Sequence, residues 1–380
     1  MRAPHLVCGA FSFVKAPELT KVCTARRQHR SCSRTFIPWG TGLQPHTASK
    51  SACKAVTISA TRKPALEDFT MTSTPRQADW TRLHPQPYEL GESPFWHPQE
   101  SRLYWVDIPG KKILRAAADG GNLEVWDMPS EPGCIAPAAQ GGLVIALRHG
   151  VFRAQTWGGA LEHLVALPYD TQTVRANDGK CDALGRFWVG TIDETKAHDA
   201  AALYCIDARS GTPLVRTMAE GALTGNGMGW SLDGRSAYWA DTPRHLVHGW
   251  DYEPASNTLS AHRTHLQFTA KPADWASGDA RYQGRPDGAA VDSQGNYWLA
   301  MFEGARICCF SPAGQMLASY ATPAQCPTMP CFGGEDLKTL FITSARHGRK
   351  DEELQRYADS GCVFSMRVDI PGLPVHFFAD

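Results

Sequence analysis

One short motif recurs along this chain and constrains its fold more than any other feature. Each full copy has a polar residue, a short apolar segment, a turn containing glycine, and two adjacent aromatic residues. Full copies span 92–107, 177–190, 226–241 and 287–300, and degenerate copies span 141–147 and 332–343. Repetition at intervals of roughly 40 to 60 residues is typical of the four-stranded blades of a β-propeller.

Six copies predict an all-β fold, a six-bladed β-propeller with a metal site in its central channel. The glycine turns suit strand connections, and adjacent aromatic residues point to opposite faces of a strand. We expect residues 84–90 to pair with the terminal strands around 361–378, which closes the ring and removes exposed edges. The alternatives are a β-sandwich and a two-domain α/β protein, and the scarcity of 3.6-residue periodicity argues against the second.

The sequence divides into a basic leader, residues 1–70, and a predicted propeller domain, residues 84–380. Residues 1–66 contain 11 Lys and Arg but a single acidic residue, Glu18. This composition fits an organelle transit peptide or a disordered upstream extension that precedes a natural start at Met71. The second interpretation is favoured because no amphipathic arginine-rich helix is present, and we expect a cytoplasmic protein because no secretory signal is evident.

The charge of the remaining chain limits its partners. Beyond residue 66 there are 27 basic and 37 acidic residues, a net charge of −10. Such a surface argues against nucleic acid and suits a cation or a neutral polyol. No apolar run reaches membrane-spanning length. The eight cysteines beyond the leader show no framework spacing, so isolated thiols are expected rather than a pair such as Cys326 and Cys331.

The polar residue that begins each full copy predicts a binding site. Glu92, Asn177, Asn226 and Asp287 lie 10 to 12 residues before the first aromatic residue of the pair. Equivalent positions in different blades converge at one end of the channel, and converging carboxylates require a cation or a proton. Asn or Asp before Gly is also common in tight turns, but Glu92 has no such preference. Carboxylate and amide oxygens suit Ca²⁺, Mg²⁺ or Mn²⁺, and Zn²⁺ is also compatible.

From about Tyr88 to the C-terminus, the chain resembles the SMP-30/gluconolactonase/regucalcin family. The segments that carry the resemblance include Leu90-Gly-Glu-Ser-Pro94, Arg175-Ala-Asn-Asp-Gly-Lys180, Gly225-Asn-Gly-Met228 and Arg285-Pro-Asp-Gly288. The resemblance implies a six-bladed propeller with one divalent metal ion that hydrolyses a sugar lactone.

The resemblance also implies a role for each residue. It assigns the metal to Glu92, Asn226 and Asp287, and the ion is Ca²⁺, Zn²⁺, Mg²⁺ or Mn²⁺. A divalent ion polarises the lactone carbonyl and lowers the pKa of a water molecule. We expect Asp287 to act in addition as the general base.

The substrate side of the site is implied in the same way. The Arg-x-Asn-Asp-Gly segment of the family holds the sugar, which points to Arg175 and Asn177. The family has an acidic residue after Gly-Thr-Met, and the variant Thr191-Ile-Asp-Glu194 offers Glu194 for hydroxyl recognition. A phosphotriesterase or arylesterase, or a non-catalytic calcium-binding regulatory protein, are the alternatives. The guanidinium of Arg175 favours a polyhydroxylated substrate over an apolar ester.

Overall fold

The structure, a computed structural model, describes residues 74–380 and confirms the all-β prediction. Its 24 strands form six four-stranded antiparallel sheets arranged as the blades of a β-propeller. The described residues also contain one 3-10 helix (Thr242–Arg244) and one short α-helix, α1 (Asp351–Arg356). Within 74–380 no helix has the length and apolar character that crossing a membrane requires. The predicted leader, residues 1–70, lies outside the described residues.

Five blades consist of consecutive strands, each blade beginning at the central channel and ending at the outer edge. Blade 1 contains β2 (Gly91–His97), β3 (Arg102–Asp107), β4 (Lys112–Ala116) and β5 (Glu124–Asp127). Blade 2 contains β6 (Pro132–Pro137), β7 (Leu143–Leu147), β8 (Gly150–Ala154) and β9 (Glu162–Val165). Blade 3 contains β10 (Val174–Cys181), β11 (Phe187–Asp193), β12 (Ala201–Asp207) and β13 (Leu214–Ala222). Blade 4 contains β14 (Gly225–Trp230), β15 (Ser236–Asp241), β16 (Leu246–Glu253) and β17 (Thr258–Gln267). Blade 5 contains β18 (Arg285–Val291), β19 (Tyr297–Phe302), β20 (Arg306–Phe310) and β21 (Met316–Ala321).

The sixth blade joins the two ends of the propeller. It contains β22 (Pro327–Gly333), β23 (Thr339–Ser344), β24 (Phe364–Arg367) and, as its outermost strand, β1 (Thr81–Arg82). Thr81 pairs with Ser365 and Arg82 with Phe364. An early segment of the described chain therefore completes a sheet made by its end.

The prediction that residues 84–90 supply this closing strand was wrong in position, although it named the correct partner segment. The strand ends at Arg82, and afterwards single backbone hydrogen bonds run from Leu83 to Val363 and from Tyr88 to Gly361. Pro85 and Pro87 lie between these two bonds and have no N–H to donate, so a continuous ladder cannot pass through them.

The core lies between the blades. Each of the six interfaces between neighbouring blades in the described chain holds its own cluster of buried hydrophobic residues. The adjacent aromatic residues of the motif serve two interfaces at once: Tyr104 packs toward blade 2, and Trp105 packs toward blade 6. At the latter interface Trp96 stacks on Phe341 with ring centroids 6.0 Å apart. The tryptophans of the motif are therefore core residues rather than a sugar-stacking surface.

The eight cysteines within 74–380 are all buried and free. Cys326 and Cys331 are among them, so the expectation of isolated thiols is confirmed for this part of the chain.

Candidate metal centre

The four predicted channel residues lie at one level of the propeller. In each of their strands, the residue three positions later pairs with an aromatic residue that packs toward the next blade. These pairs are Phe95 with Tyr104, Lys180 with Trp188, Gly229 with Tyr238 and Ala290 with Trp298. Glu92, Asn177, Asn226 and Asp287 are therefore equivalent positions of four blades.

The variation in motif spacing has two sources rather than one. In blades 3 and 5 the aromatic pair begins one residue earlier along its strand than in blades 1 and 4, because Trp188 and Trp298 take the positions of Tyr104 and Tyr238. The other residue of the two-residue difference lies in the turn. The remaining blades have Gly133 and Thr328 at the equivalent channel position.

The backbone is irregular where these side chains enter the channel. The ladder of every innermost strand is interrupted there, between Glu92 and Phe95, Pro132 and Cys134, Ala176 and Gly179, Asn226 and Gly229, Pro286 and Ala289, and Pro327 and Pro330. A bulge changes the direction of the side chains beside it. In blade 4 the break requires φ = +59° at Gly227, where a Cβ atom would lie 2.6 Å from the Tyr297 hydroxyl, so glycine is needed after Asn226.

A cavity of about 130 Å³ opens at this level and contains five of the six predicted site residues. Its walls are formed by Leu90, Glu92, Arg175, Asn177, Ile192, Lys196, Thr224, Asn226, Thr242, Pro243, Arg285, Asp287, Phe302 and Thr328. Blades 1, 3, 4, 5 and 6 contribute side chains. The lining combines acidic, basic and amide groups with a few apolar ones, as a site for a polar ligand requires.

A chain of hydrogen bonds fixes the amide groups of the site. Arg175 Nη1 donates to Asn177 Oδ1 at 3.0 Å, and Asn177 Nδ2 donates to Asn226 Oδ1 at 2.7 Å. Asn226 Nδ2 in turn donates to Thr242 Oγ1 at 2.8 Å. Because both ends of the Asn226 amide have a partner, its oxygen stays on the side of Asn177. Thr242 had no signal in the repeat, since it lies in the 3-10 helix after β15.

Glu92 and Asp287 are buried carboxylates whose charge is poorly compensated by protein groups. Burial, followed by the charges of Asp287 and Asp178, raises the pKa of Glu92 well above its usual range. Burial and Asp178 likewise raise the pKa of Asp287, although Arg285 and Lys196 act to lower it. The only hydrogen bond to the Glu92 carboxylate within the described chain comes from the Ser93 N–H, at 2.9 Å.

These residues fit a divalent cation. A cation between two carboxylates and an amide oxygen removes the cost of burying both negative charges. No three His, Cys, Asp or Glu side chains within 74–380 gather closely enough to hold an ion by themselves. A site for an ion in this cavity would therefore need the oxygen of Asn226 as well as Glu92 and Asp287.

Asp178, next to Asn177 in the chain, adds a further buried carboxylate near Glu92 and Asp287. Neither of its side-chain oxygens has a hydrogen-bond partner in the described structure, although the nearby Gly227 and Met228 N–H groups lower its pKa against the dominant effect of burial. Lys180, also near Asp178, donates from Nζ to the Ala289 carbonyl at 2.7 Å. The positive charge of Lys180 acts to lower the pKa of Asp178, and the negative charge of Asp178 acts to raise that of Lys180.

Glu194 lies outside the cavity lining, at its rim. Its Oε2 is 2.8 Å from Arg148 Nη1, and its Oε1 is 3.3 Å from Arg175 Nε. Arg148 also contacts Glu131 at 3.0 Å. The hydrogen bond from Arg148 is the main cause of the lowered pKa of Glu194. The structure therefore places Glu194 as a support for Arg175, so contact of Glu194 with a substrate hydroxyl stays a prediction.

Two cationic wall residues were missed in the sequence. Lys196 comes from the connection between β11 and β12, and Arg285 begins β18. A signal for Arg285 was present: it precedes Asp287 by two residues, as Arg175 precedes Asn177. Residues two apart in a strand share a face, so an arginine so close to a channel residue reaches the same cavity. No comparable signal marks Lys196.

Comparison with known proteins identifies the family. Residues 90–346 match the model of the SMP-30/Gluconolactonase/LRE-like region. The chain belongs to this family. The match runs from Leu90, two residues before Glu92, to Arg346, two residues after the end of β23. It therefore includes every residue that lines the cavity.

Curated relatives cover the same part of the chain. The 6-deoxy-6-sulfogluconolactonase of Pseudomonas putida is 38% identical over 298 residues, which are 77% of this chain and 96% of the relative. The regucalcin of Danio rerio is 33% identical over 295 residues, or 76% of this chain and 95% of the relative. The chain therefore aligns with nearly the whole length of both relatives.

Solved structures support the fold. A calcium-binding regucalcin from Agrobacterium tumefaciens superposes with a TM-score of 0.73 and 22% identity, covering 80% of this chain and 99% of that one. A gluconolactonase from Xanthomonas campestris gives a TM-score of 0.59 and 22% identity, covering 77% and 90%. At this level of identity the likeness establishes the propeller alone.

Proposed function

We propose that this chain is a sugar lactonase that hydrolyses an aldonolactone with one divalent ion held by Glu92, Asn226 and Asp287. The observation that carries the proposal is the convergence of two buried carboxylates and an oriented amide oxygen on a cavity that also contains Arg175. The family relationship and the lactonase named among the relatives support it. Their names also support a hexonolactone as substrate, including one that carries sulfonate at carbon 6.

The ion and Asp287 have different tasks in this reaction. A bound divalent ion supplies Lewis acidity for the carbonyl oxygen and makes a water molecule more acidic. Asp287 accepts a proton as water attacks the carbonyl carbon, and it returns the proton to the ring oxygen when the carbon–oxygen bond breaks. The products are a carboxylic acid and a free hydroxyl group, so the reaction needs no other reactant. We propose Ca²⁺, Zn²⁺, Mg²⁺ or Mn²⁺, because all four bind oxygen ligands.

Arg175 and Asn177 are proposed to hold the sugar. Arg175 is rigid, because Glu194 contacts Nε and Asn177 accepts from Nη1, and its fork of donors suits the oxygens of a lactone. Asn177 has both polar ends engaged within the protein, so its main contribution is to align Arg175 with Asn226. We propose the cytoplasm as the location, since the eight described thiols form no disulfide.

The test is a pH-indicator assay of pentono- and hexonolactones, with metal-stripped protein refilled by single ions. Activity should require an ion, and Asp287→Asn should lower kcat by about 10²–10⁴-fold, the usual contribution of a general base. Asp369→Asn is the matched control, because this exposed aspartate is far along the chain from any cavity residue.

Three results would contradict the proposal in whole or in part. Hydrolysis of phosphotriesters or aryl esters without activity on any lactone would favour the esterase alternative. Tight calcium binding without turnover of either class would favour the non-catalytic one. Full activity of Asp287→Asn with the ion bound would remove Asp287 from proton transfer.

A further inference from the structure

The cavity wall carries positive charge that the protein does not neutralise. Three cationic side chains line it, namely Arg175, Lys196 and Arg285. Their ion-pair partners differ, and this difference decides which of them is free to bind a ligand.

Arg175 is neutralised within the protein. It belongs to a group of two arginines and two glutamates, in which Glu194 contacts both Arg175 and Arg148, and Arg148 also contacts Glu131. The charges of this group cancel, so Arg175 can donate hydrogen bonds to neutral oxygens without requiring an anion.

Arg285 is not neutralised in the same way. Its nearest carboxylate, Glu303, lies 3.6 Å from Nη2 and is closer to Lys271 (2.8 Å) and Arg349 (3.1 Å). Glu353 contacts Arg349 as well, so three cations share two carboxylates. In addition, the buried Nε of Arg285 has no hydrogen-bond partner in the described structure.

Lys196 is an exposed residue of the connection between β11 and β12, and its ammonium has no ion pair or side-chain hydrogen bond within the described residues. Lys196 shares the cavity wall with Arg285 and Arg175. Burial is the main cause that lowers the pKa of Lys196, followed by the charges of these two arginines, while Asp287 acts to raise it. Glu92 and Asp287 do not balance these cations, since a divalent ion compensates that pair. The loaded cavity and its surroundings therefore have two positive charges in excess, one on Lys196 and one shared among Arg285, Lys271 and Arg349.

We propose that Lys196 and Arg285 bind an anionic substituent of the lactone, so that the preferred substrate carries a sulfonate, phosphate or carboxylate group away from the reacting carbonyl. This inference rests on the proposed lactonase function and adds the charge of the substrate to it. Oxyanions accept charge-assisted hydrogen bonds from guanidinium and ammonium groups, which are about twice as strong as neutral ones. In a partly closed cavity, a cation that shares its carboxylate with other cations, or has none, gains most from such a ligand.

The test compares two hexonolactones that differ only at carbon 6, one with a hydroxyl and one with a sulfonate. In the ion-loaded protein we expect the ratio of kcat/KM, sulfonated over unsubstituted, to fall about ten-fold or more in Lys196→Gln. Lys196→Arg should keep the ratio within about three-fold of wild type, because it keeps the charge. The ten-fold fall is the expected effect of losing one charged hydrogen bond to the substituent. Lys196→Arg keeps that bond, so the ratio should change little.

Lys338→Gln is the matched control, because Lys338 lies in the turn after β22, at the opposite end of the blade from Thr328 in the cavity. A binding measurement without turnover gives the second readout. The dissociation constant of 6-sulfogluconate, the open-chain product, should rise about ten-fold in Lys196→Gln and stay unchanged in Lys338→Gln.

The outcomes separate this inference from the proposed function. If the wild-type protein hydrolyses neither lactone, the lactonase proposal fails. If it hydrolyses both but Lys196→Gln leaves the kcat/KM ratio unchanged, the anion-binding role of Lys196 is overturned. If the ratio falls in Lys196→Gln as expected, replacing the sulfonate of the lactone by phosphate or carboxylate identifies which anion Lys196 and Arg285 prefer.

Discussion

Replacement of Thr242 by valine tests whether an oriented Asn226 is required to bind the ion. Thr242 is 7% exposed, and its Oγ1 accepts the 2.8 Å hydrogen bond from Asn226 Nδ2. Valine keeps the shape of the side chain and removes the acceptor. The buried donor that remains costs about 1–3 kcal/mol.

The amide cannot recover this loss by rotating. A flip of Asn226 would turn its NH₂ group toward Nδ2 of Asn177, which now donates to Asn226 Oδ1 at 2.7 Å. Two donors would then face each other, and the nitrogen cannot replace oxygen as a ligand for the ion. We therefore expect Thr242→Val to weaken metal affinity about 10- to 100-fold, the usual effect of removing a group that orients a ligand.

Isothermal titration of metal-stripped protein with Mn²⁺, Zn²⁺ and Ca²⁺ measures the effect directly. Thr242→Ser restores the hydroxyl and should return the affinity to within a few-fold of wild type. Thermal unfolding of the metal-free variants separates a loss of stability from a loss of affinity. Wild-type affinity in Thr242→Val would refute the idea that this hydrogen bond positions the ligand oxygen.

Two further predictions concern stability. Because burial raises the pKa of both Glu92 and Asp287, their contribution to the stability of metal-free protein is complete below the unfolded pKa of about 4 and is lost as pH rises through their folded pKa values. The thermal unfolding midpoint, measured in chelator, should fall as pH rises above about 4, and it should fall less steeply in Glu92→Gln than in wild type. Equal slopes of midpoint against pH would contradict this prediction. Leu83→Ala should lower the free energy of unfolding by about 2–5 kcal/mol, because Leu83 is buried beside the closing strand. Chemical denaturation measures it, with the exposed Leu317→Ala as a control near zero.

The repeat made the blades predictable because each blade is specified locally. Two strands and their turn are encoded within about twenty residues, and the polar residue at the start of each copy has a fixed position in the ladder. Because these polar residues have the same position in each repeat, the sequence predicted that their side chains meet in the channel. Glu92 and Asp287 line the same cavity.

The closing strand was not predictable from such a pattern. The closing strand has only two residues, Thr81 and Arg82, and both are exposed. It is therefore too short to show an alternation of polar and apolar residues. Their pairing depends on where the last blade ends, which local sequence does not specify. The position of Lys196 in the cavity wall could not be predicted for the same reason, because Lys196 lies in the connection between β11 and β12 and not in a repeated strand.

Thr328 gives the ring closure a chemical consequence. Its hydroxyl donates to the Gly91 carbonyl at 2.5 Å, across the seam between the last blade and the first. The next residue after Gly91 is Glu92, so one ligand of the proposed centre lies directly at the junction between the last blade and the first. The proposed ligands come from blades 1, 4 and 5, and the neighbour of Glu92 at this junction comes from blade 6, which follows the other five in the chain. Ion capture should therefore report the completion of the whole ring rather than the folding of any single blade.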